Sequence, residues 1–208
     1  RRLAISFSGG RTSARMTNLL MGLKRLGWLP YDEVVVAFAN TGQEDERTLA
    51  FVDRCDREWR LGMVWLEADI APKRGVGTSF TITTFKDAAR KGEPFRATIE
   101  KYGLPNPSFP HCTREMKEMP IVSYLRSLEW EPGSYHMAVG IRADEIDRQA
   151  VKAKQMGIIY PLIALGVTKN DVIAWWKKQP FDLYLLEHLG NCTWCWKKTL
   201  RKHMTLAQ

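Results

Sequence analysis

The stretch that decides the fold is Arg2-Leu3-Ala4-Ile5-Ser6-Phe7-Ser8-Gly9-Gly10-Arg11-Thr12-Ser13. Its first half is short and apolar, which is typical of a buried strand. A Ser/Gly-rich turn follows, and the apolar spacing from Met16 to Leu26 then predicts a helix. Glycines let backbone N–H groups approach an anion, and a helix N-terminus adds partial positive charge. The stretch therefore predicts a phosphate cradle at residues 8–13. The alternative is an ordinary turn in which Ser or Thr caps the helix.

Strands and helices alternate over the rest of the chain. Residues 33–39 are almost wholly apolar, which favours a parallel sheet covered on both faces. The alternation predicts right-handed crossovers and a doubly wound, five-stranded, mostly parallel sheet. We predict strands at 2–7, 33–39, 63–66, 135–139 and 158–160. Helices are predicted after the first strand, at 44–60, at 113–127 with a break at Pro120 as an alternative, and from the cap at 168–171 to just before Pro180.

The expected organisation is one α/β domain over residues 1–208. Residues 71–110 are rich in Gly and Pro and predict a flap-like excursion with a short helical pattern near 85–90. Residues 181–208 predict a C-terminal extension that carries a cysteine turn and a basic tail. We expect no membrane span and no signal peptide, and hence a cytoplasmic protein.

Charge and cysteine content narrow the classes of ligand. The 208 residues carry a formal net charge of +8, which suits a polyanion such as a nucleotide or a nucleic acid. The Lys/Arg-rich C-terminus adds Trp194 and Trp196, which could stack on bases, and its cations are Lys197, Lys198, Arg201 and Lys202. Four cysteines without a secretion signal favour metal binding or thiol chemistry over disulfides.

Two further loops follow predicted strands at the edge where ligands bind in open α/β sheets. Asn40 and Thr41 come directly after the second strand, although Thr41 and Glu44 also fit a capping box. Gly140 follows the fourth strand and gives backbone access, and Arg142 can hold phosphate or sulfate through two hydrogen bonds. The alternative for Arg142 is a surface ion pair with its acidic neighbours.

Three cysteines have the character of ligands. Cys192 and Cys195 form a CxxC turn followed by lysines, which favour thiolate over thiol, and Cys112 lies beside His111 ahead of a helix. Three thiolates allow a [4Fe–4S] cluster with one open iron, a Cys3His zinc site completed by His111 or His188, or three unmetallated thiols. Cys55 lies on the apolar stripe of a helix and is expected in the core.

Five segments in this order resemble the phosphoadenosine-phosphosulfate reductase-like branch of the PP-loop ATP pyrophosphatase superfamily. The resemblance spans about residues 2–198 and implies an adenine nucleotide α-hydrolase-like sheet with the nucleotide at its carboxyl edge. Thr12 departs from the family pattern, which has Asp there, so a magnesium ion at the phosphates is less firmly implied. The segments are SGGRTS (8–13), FANTGQE (38–44), CTREMKEMP (112–120), GIRADE (140–145) and residues 160–172.

Functional residues carry over by position. The loop residues Ser8, Gly9, Gly10, Arg11, Thr12 and Ser13 would hold phosphate or sulfate. Phe38, Asn40, Thr41 and Gly140 would meet adenosine. The cations Arg114, Lys117 and Arg142 would neutralise the anion, whereas the alternative for the first two is a solvated helix face.

The resemblance implies an enzyme of sulfur metabolism. The three-cysteine arrangement looks like that of cluster-dependent tRNA thiolation and DNA phosphorothioation enzymes, in which ATP is cleaved to AMP and pyrophosphate during sulfur transfer to the nucleic acid. One alternative is a sulfonucleotide reductase that releases sulfite. The other is an iron–sulfur or zinc module that binds nucleic acid without catalysis. Cys112, Cys192 and Cys195 would be the metal ligands of the leading interpretation.

Overall fold

The computed structural model of the chain describes residues 1–73, 75–186, 189–190 and 192–204. Within these residues the fold is α/β. The strands are β1 (Arg2–Phe7), β2 (Glu33–Asn40), β3 (Val64–Ile70), β4 (Thr78–Thr83), β5 (Tyr135–Val139) and β6 (Ile158–Ile159). The α-helices are α1 (Arg11–Arg25), α2 (Glu46–Trp59), α3 (Glu93–Tyr102), α4 (His111–Thr113), α5 (Met119–Ser127), α6 (Pro161–Ala164), α7 (Lys169–Trp176) and α8 (Leu200–Met204).

The strands form one six-stranded, mostly parallel sheet flanked by helices, in the order β4-β3-β2-β1-β5-β6. β1 runs parallel to both β2 and β5, and β5 runs parallel to β6. The register pairs Ser6 of β1 with Val139 of β5, so these two strands end level with each other. The chain leaves β1 toward one side of the sheet and later returns to its other side at β5. The strand order therefore reverses at β1, and the loops after β1 and β5 are neighbours.

The sheet has one strand more than the sequence predicted. β4 lies inside the expected excursion at 71–110 and pairs antiparallel with β3. The excursion also contains α3, whereas the short helix predicted near 85–90 is absent from these described residues. α3 begins with Pro94 in its first turn and ends at Gly103, both of which are recognised helix boundary signals. β-branched and aromatic residues alternate with Ser and Thr in β4, which suits a half-exposed edge strand.

A π-helical turn interrupts the helix predicted at 113–127. It spans Arg114–Glu118, between α4 and α5, and Met119 N–H donates to the carbonyl of Arg114 five residues back. Pro120 has no N–H to donate to the carbonyl of Met116, so an ordinary α-helical ladder is broken at this point. Turns of this type occur frequently at functional sites. This one carries Arg114 and Lys117.

The described chain divides into two compact units, each built from three stretches of sequence. The first contains residues 1–38, 51–64 and 128–183, and the second contains residues 39–50, 65–127 and 184–208. The first unit buries Leu3 and Ile5 of β1, and an aromatic group of Trp59, Trp176 and Phe181 packs with ring centroids 5.8–6.0 Å apart. Every helix among the described residues is too short or too polar to cross a lipid bilayer.

Candidate functional site

The loop at residues 8–13 is held in shape by its own serines. Ser13 is buried, and its Oγ accepts from the backbone N–H of Ser8 at 3.1 Å and from Ser8 Oγ at 3.0 Å. The same hydroxyl donates to the carbonyl of Gly10 at 3.0 Å. Gly9 has a φ of 79°, in the left-handed region that favours glycine. The Ser13 hydroxyl thus makes its hydrogen bonds within the loop. An anion at this loop would therefore bind to backbone N–H groups.

The start of α1 suits a negative charge. Among the described residues no side chain caps this helix end, and its first turn contains no acidic residue. The first N–H groups of an α-helix have no partner within the helix and carry partial positive charge. A phosphate or sulfate group at this end would accept hydrogen bonds from these N–H groups and balance their partial positive charge.

The loop after β5 lies against the loop after β1. A Cβ atom placed on Gly140 would sit 2.8 Å from Cα of Ser13, closer than side chains tolerate. Arg142 donates from Nη1 to Thr12 Oγ1 at 3.2 Å, and its side chain is only 14% exposed. Arg142 also forms the ion pairs that the alternative predicted, with Asp144 at 3.1 Å and Glu145 at 3.3 Å. The guanidinium is therefore fixed beside the 8–13 loop.

Replacing Gly140 with Ala should lower the free energy of unfolding by about 1–3 kcal/mol, because the added methyl group meets the Ser13 backbone. Gly22→Ala is the matched control, since Gly22 lies inside α1 and a Cβ there meets no atom within 4 Å. The control should leave stability unchanged or raise it by up to about 1 kcal/mol. Urea denaturation of both variants checks this, and equal stabilities would contradict the close approach.

The Arg11 side chain pairs with Asp182 and does not project into the proposed anion site as a free cation. Its guanidinium forms a two-point ion pair with Asp182, at 2.6 and 2.9 Å, and its carbonyl accepts from Trp176 Nε1 at 3.0 Å. These contacts anchor the 8–13 loop to the residues that follow α7. Only the backbone of Arg11, in the first turn of α1, is left in the anion-binding role that the sequence suggested.

Phe38, Asn40 and Thr41, three of the four residues predicted to meet adenosine, are buried, whereas Gly140 is partly exposed. Phe38 is 1% exposed. Asn40 is 0% exposed, and its amide donates to Glu67 Oε1 at 2.7 Å and to the carbonyl of Ala89 at 2.9 Å. Its Oδ1 accepts from Gly42 N–H at 3.1 Å. The polar atoms of Asn40 therefore shape the loop after β2.

In the second unit the CxxC turn is fastened to the loop after β2. Both the N–H and the hydroxyl of Thr193 donate to the carbonyl of Gln43, at 2.7 and 3.0 Å. Cys192 Sγ lies 3.4 Å from Thr41 Oγ1 and donates to Glu44 Oε1 at 3.6 Å. Thr41 also hydrogen-bonds Glu44 through its N–H and hydroxyl, but α2 begins only at Glu46, so this pair is not the helix cap that the alternative predicted.

Lys117 is the cation of this group. Its ammonium lies 4.0 Å from Glu44 Oε1, and the Glu44 side chain is 5% exposed. Cys192 in its ionised form, followed by Glu44, Cys195 and Cys112, raises the pKa of Lys117 to about 12, against the opposing effect of partial desolvation. All three candidate cysteines therefore lie within electrostatic reach of one lysine. We call Cys112, Cys192, Cys195 and Lys117 the thiol cluster.

Burial outweighs the nearby cations at Cys192. It raises the pKa of the Cys192 thiol, and Lys117 only partly opposes that shift. The expectation that neighbouring lysines favour the thiolate is therefore wrong for this residue. Lys198 lies in the same surroundings and is buried, with Nζ 3.4 Å from the carbonyl of Thr193. The sequence predicted that Lys198 belongs to an exposed basic surface. Because Lys198 is buried, that prediction is wrong for this residue.

Arg114 and Lys117 have different partners. Arg114 Nη2 lies 2.5 Å from Glu115 Oε1, and the carboxylate of Glu115 is buried whereas Arg114 is exposed. Thr78 Oγ1 also hydrogen-bonds Glu115. Burial of Glu115 acts to raise its pKa, but the hydrogen bonds from Thr78 and Arg114 outweigh this and lower that pKa. The structure thus assigns Arg114 to Glu115, and Lys117 to the thiol cluster.

The described residues contain no group of three or more His, Cys, Asp and Glu side chains already placed to hold a metal ion. His111 is buried, with Nδ1 3.1 Å from the carbonyl of Phe109, and its Nε2 has no partner among the described atoms. His188, the other zinc ligand that we considered, lies outside the described residues. Cys55 is 0% exposed in α2, in the core as predicted.

Native thiol labelling should separate Cys55 from the other cysteines. Burial strongly raises the pKa of Cys55, whereas Cys112, Cys192 and Cys195 are partly exposed. We expect a thiol-specific reagent to modify Cys112, Cys192 and Cys195 in the reduced, metal-free native protein, with Cys192 the slowest because burial raises its pKa, and to modify all four cysteines after denaturation. Mass spectrometry identifies the sites, and modification of Cys55 in the folded chain would contradict the assignment.

Sequence reasoning missed Glu44, Asp182 and the π-helical turn. Glu44 was considered only as a capping residue, yet it joins Thr41, Cys192 and Lys117. A usable signal was its position: an acidic residue four positions after a strand, in a loop predicted to bind ligand. Asp182 gave no local signal, because its partner Arg11 is 171 residues away.

One comparison with known proteins finds a relative. Over 201 residues the chain is 37% identical to an uncharacterized nin region protein, ORF290, of Escherichia phage lambda. The match covers 95% of this chain and 67% of the phage protein. No family model and no solved structure matches the chain.

Proposed function

We propose a function for a chain that belongs to the same family as the nin region protein ORF290 of phage lambda. In this proposal the chain is a doubly wound PP-loop enzyme that binds ATP and cleaves it to AMP and pyrophosphate in the course of sulfur transfer. Its acceptor is a tRNA or a DNA. Because exposed thiols stay reduced in the cytoplasm, we further propose that it acts there.

The observation that carries this proposal is the contact between the loops after β1 and β5. Gly140 approaches Ser13 so closely that no side chain fits between them, and Arg142 reaches Thr12. Both loops follow parallel strands at the point where the strand order reverses, which is where open α/β sheets bind ligands. A glycine-lined backbone, a helix N-terminus and a partly buried arginine together suit a polyphosphate.

Catalysis at such a site comes mainly from positioning and charge neutralisation. In our proposal the backbone of residues 8–13 holds the phosphates, and Arg142 stabilises the charge that develops as the bond between the α- and β-phosphates breaks. Thr12 occupies the position of the family's acidic residue and accepts from Arg142. A magnesium ion would have to be held chiefly by the phosphates, because Thr12 offers no carboxylate.

The thiol cluster suits a soft metal group by its donor chemistry. Thiolates select iron–sulfur clusters or zinc over magnesium, and Lys117 would offset part of their negative charge. Cys112, Cys192 and Cys195 would hold the group, which as a [4Fe–4S] cluster would supply an open iron able to carry sulfur. Lys117 would keep the Cys192 turn close to Glu44.

The proposal is tested by anaerobic purification followed by assays for bound metal and for products. We expect iron and sulfide in the protein, and AMP and pyrophosphate from ATP when nucleic acid is present. Bound zinc without iron would favour the zinc alternative. Release of sulfite from a sulfonucleotide, without cleavage of ATP, would contradict the proposal in favour of a reductase.

A further inference from the structure

The second unit carries a groove that the proposed nucleotide site does not use. It encloses about 450 Å³ and is lined by Gly75, Val76, Gly77, Lys101, Tyr102 and Phe109. Phe109 is 52% exposed and Val76 is 43% exposed, so apolar surface faces solvent there. The volume falls within the range of small-ligand pockets. We call it the Tyr102–Phe109 groove.

Phe109 is exposed but held in place. Its N–H donates to Asn106 Oδ1 at 3.0 Å, and its backbone bridges to Asn106 across a short turn. The ring of the buried His111 packs on Phe109 and on Tyr102, with centroids 4.8 and 5.6 Å apart. Both aromatic rings are therefore braced from behind, so little side-chain freedom is lost when a flat ligand stacks on them.

The opposite wall of the groove is open backbone. A Cβ added to Gly75 or Gly77 would meet no atom within 4 Å, and Gly75 has a φ of 82°. A planar group can therefore approach the backbone at Gly75 and Gly77, on either side of the exposed Val76 side chain.

Lys101 supplies a positive charge at the same place. Its Nζ donates to the carbonyl of Val76 at 2.7 Å and lies 5.1 Å from the Tyr102 ring centroid. An ammonium has three N–H donors, and this hydrogen bond uses one of them. The groove thus pairs aromatic faces with a cation, which is the combination that binds a stacked base and its neighbouring phosphate.

We propose that the Tyr102–Phe109 groove binds a nucleotide unit of single-stranded nucleic acid, with the base on the exposed Phe109 ring and a phosphate at Lys101. A duplex keeps its bases stacked inside and cannot offer one to the groove. Tyr102 and Cys112 pack on the same small hydrophobic cluster of Ala68, Ile70 and Met116, so the groove lies beside one candidate thiol. Its role in presenting the sulfur acceptor rests on the proposed function, but binding does not.

The test uses the full chain and a dye-labelled single strand of about 12 nucleotides, with binding followed by fluorescence anisotropy at several salt concentrations. Phe109→Ala should weaken binding about fivefold or more. Lys101→Gln should reduce the slope of log affinity against log salt by about 0.7. Matched controls are Trp28→Ala, an exposed aromatic of the first unit, and Lys177→Gln, an exposed lysine there, and both should bind like the unaltered protein.

Three results would overturn the inference. The first is unchanged strand binding by Phe109→Ala in a protein shown to be folded by circular dichroism. The second is displacement of the strand by free AMP with the same dependence on Phe109, which would assign the groove to a free nucleotide. The third is equal binding of the matching duplex.

Failure of the groove and failure of the proposed function give different patterns. Strand binding that depends on Phe109, in a protein that leaves ATP intact, would support the groove and contradict only the proposed function. Cleavage of ATP together with strand binding that ignores Phe109 would contradict only the groove.

Discussion

Replacing Gly9 with Asp should lower the affinity for ATP at least about a hundredfold while the chain stays folded. Two like charges 4 Å apart repel by about 4 kcal/mol at an effective dielectric constant of 20, and about 1.4 kcal/mol corresponds to a factor of ten. Gly9 lies in the loop whose backbone we propose as the phosphate cradle, so the new carboxylate would face the phosphates. Isothermal titration calorimetry with ATP measures the loss.

Gly27→Asp separates this effect from backbone strain. Gly27 follows α1, has a φ of 72°, close to the 79° of Gly9, and a Cβ there meets no atom within 4 Å. Both variants should lose roughly 1–2 kcal/mol of stability to the left-handed conformation, and Gly9→Asp should lose more because Gly9 is buried whereas Gly27 is exposed. Only Gly9→Asp should lose ATP. Unaltered ATP affinity in folded Gly9→Asp protein would remove the 8–13 loop from the nucleotide site.

The second large effect concerns the metal group. Ala at Cys112, Cys192 or Cys195 should each abolish the iron and the brown colour of anaerobically prepared protein, because a three-thiolate site loses a third of its ligands. Cys55→Ala is the matched control: this thiol is fully buried in the first unit, so its loss should cost packing stability and leave iron unchanged. Iron and sulfide analysis with the visible spectrum provides the measurement.

Either of two results would argue against shared ligation by the three thiols. One is full iron content after loss of any single member of the group. The other is loss of iron in Cys55→Ala protein that remains folded. If zinc is found in place of iron and depends on the same three cysteines, the ligand assignment stands and the assignment of the metal as iron is wrong.

The parallel strands were predictable because their residues are almost wholly apolar. Residues 33–39 and 135–139 were recognised in this way and form β2 and β5. β4 was missed because Thr and Ser alternate with Phe and Ile on an edge strand, which gives a weak hydrophobic signal. The π-helical turn was also missed, since it depends on how the whole segment from α4 to α5 meets the constraint of Pro120.

The loops were easier to predict than the partners of their side chains. The turn at residues 8–13 and the CxxC turn can be predicted from the spacing of their glycines and cysteines. The ion pair of Arg11 with Asp182 spans 171 residues, and the hydrogen bond of Thr193 to Gln43 spans 150. Contacts over such separations are set by the tertiary fold, so a single sequence cannot reveal that Arg11 is occupied or that Asn40 is buried.

The most direct test of the central claim is the identity of the product formed from ATP. Protein reconstituted anaerobically with iron and sulfide is incubated with α-labelled ATP, magnesium, sulfide as the sulfur donor and single-stranded nucleic acid, with pyrophosphate assayed separately and Gly9→Asp as the inactive comparison. The account predicts AMP and pyrophosphate in equal amounts from the unaltered protein and neither from the variant. Formation of ADP, equal AMP from Gly9→Asp, or intact ATP with fully iron-loaded protein would contradict it.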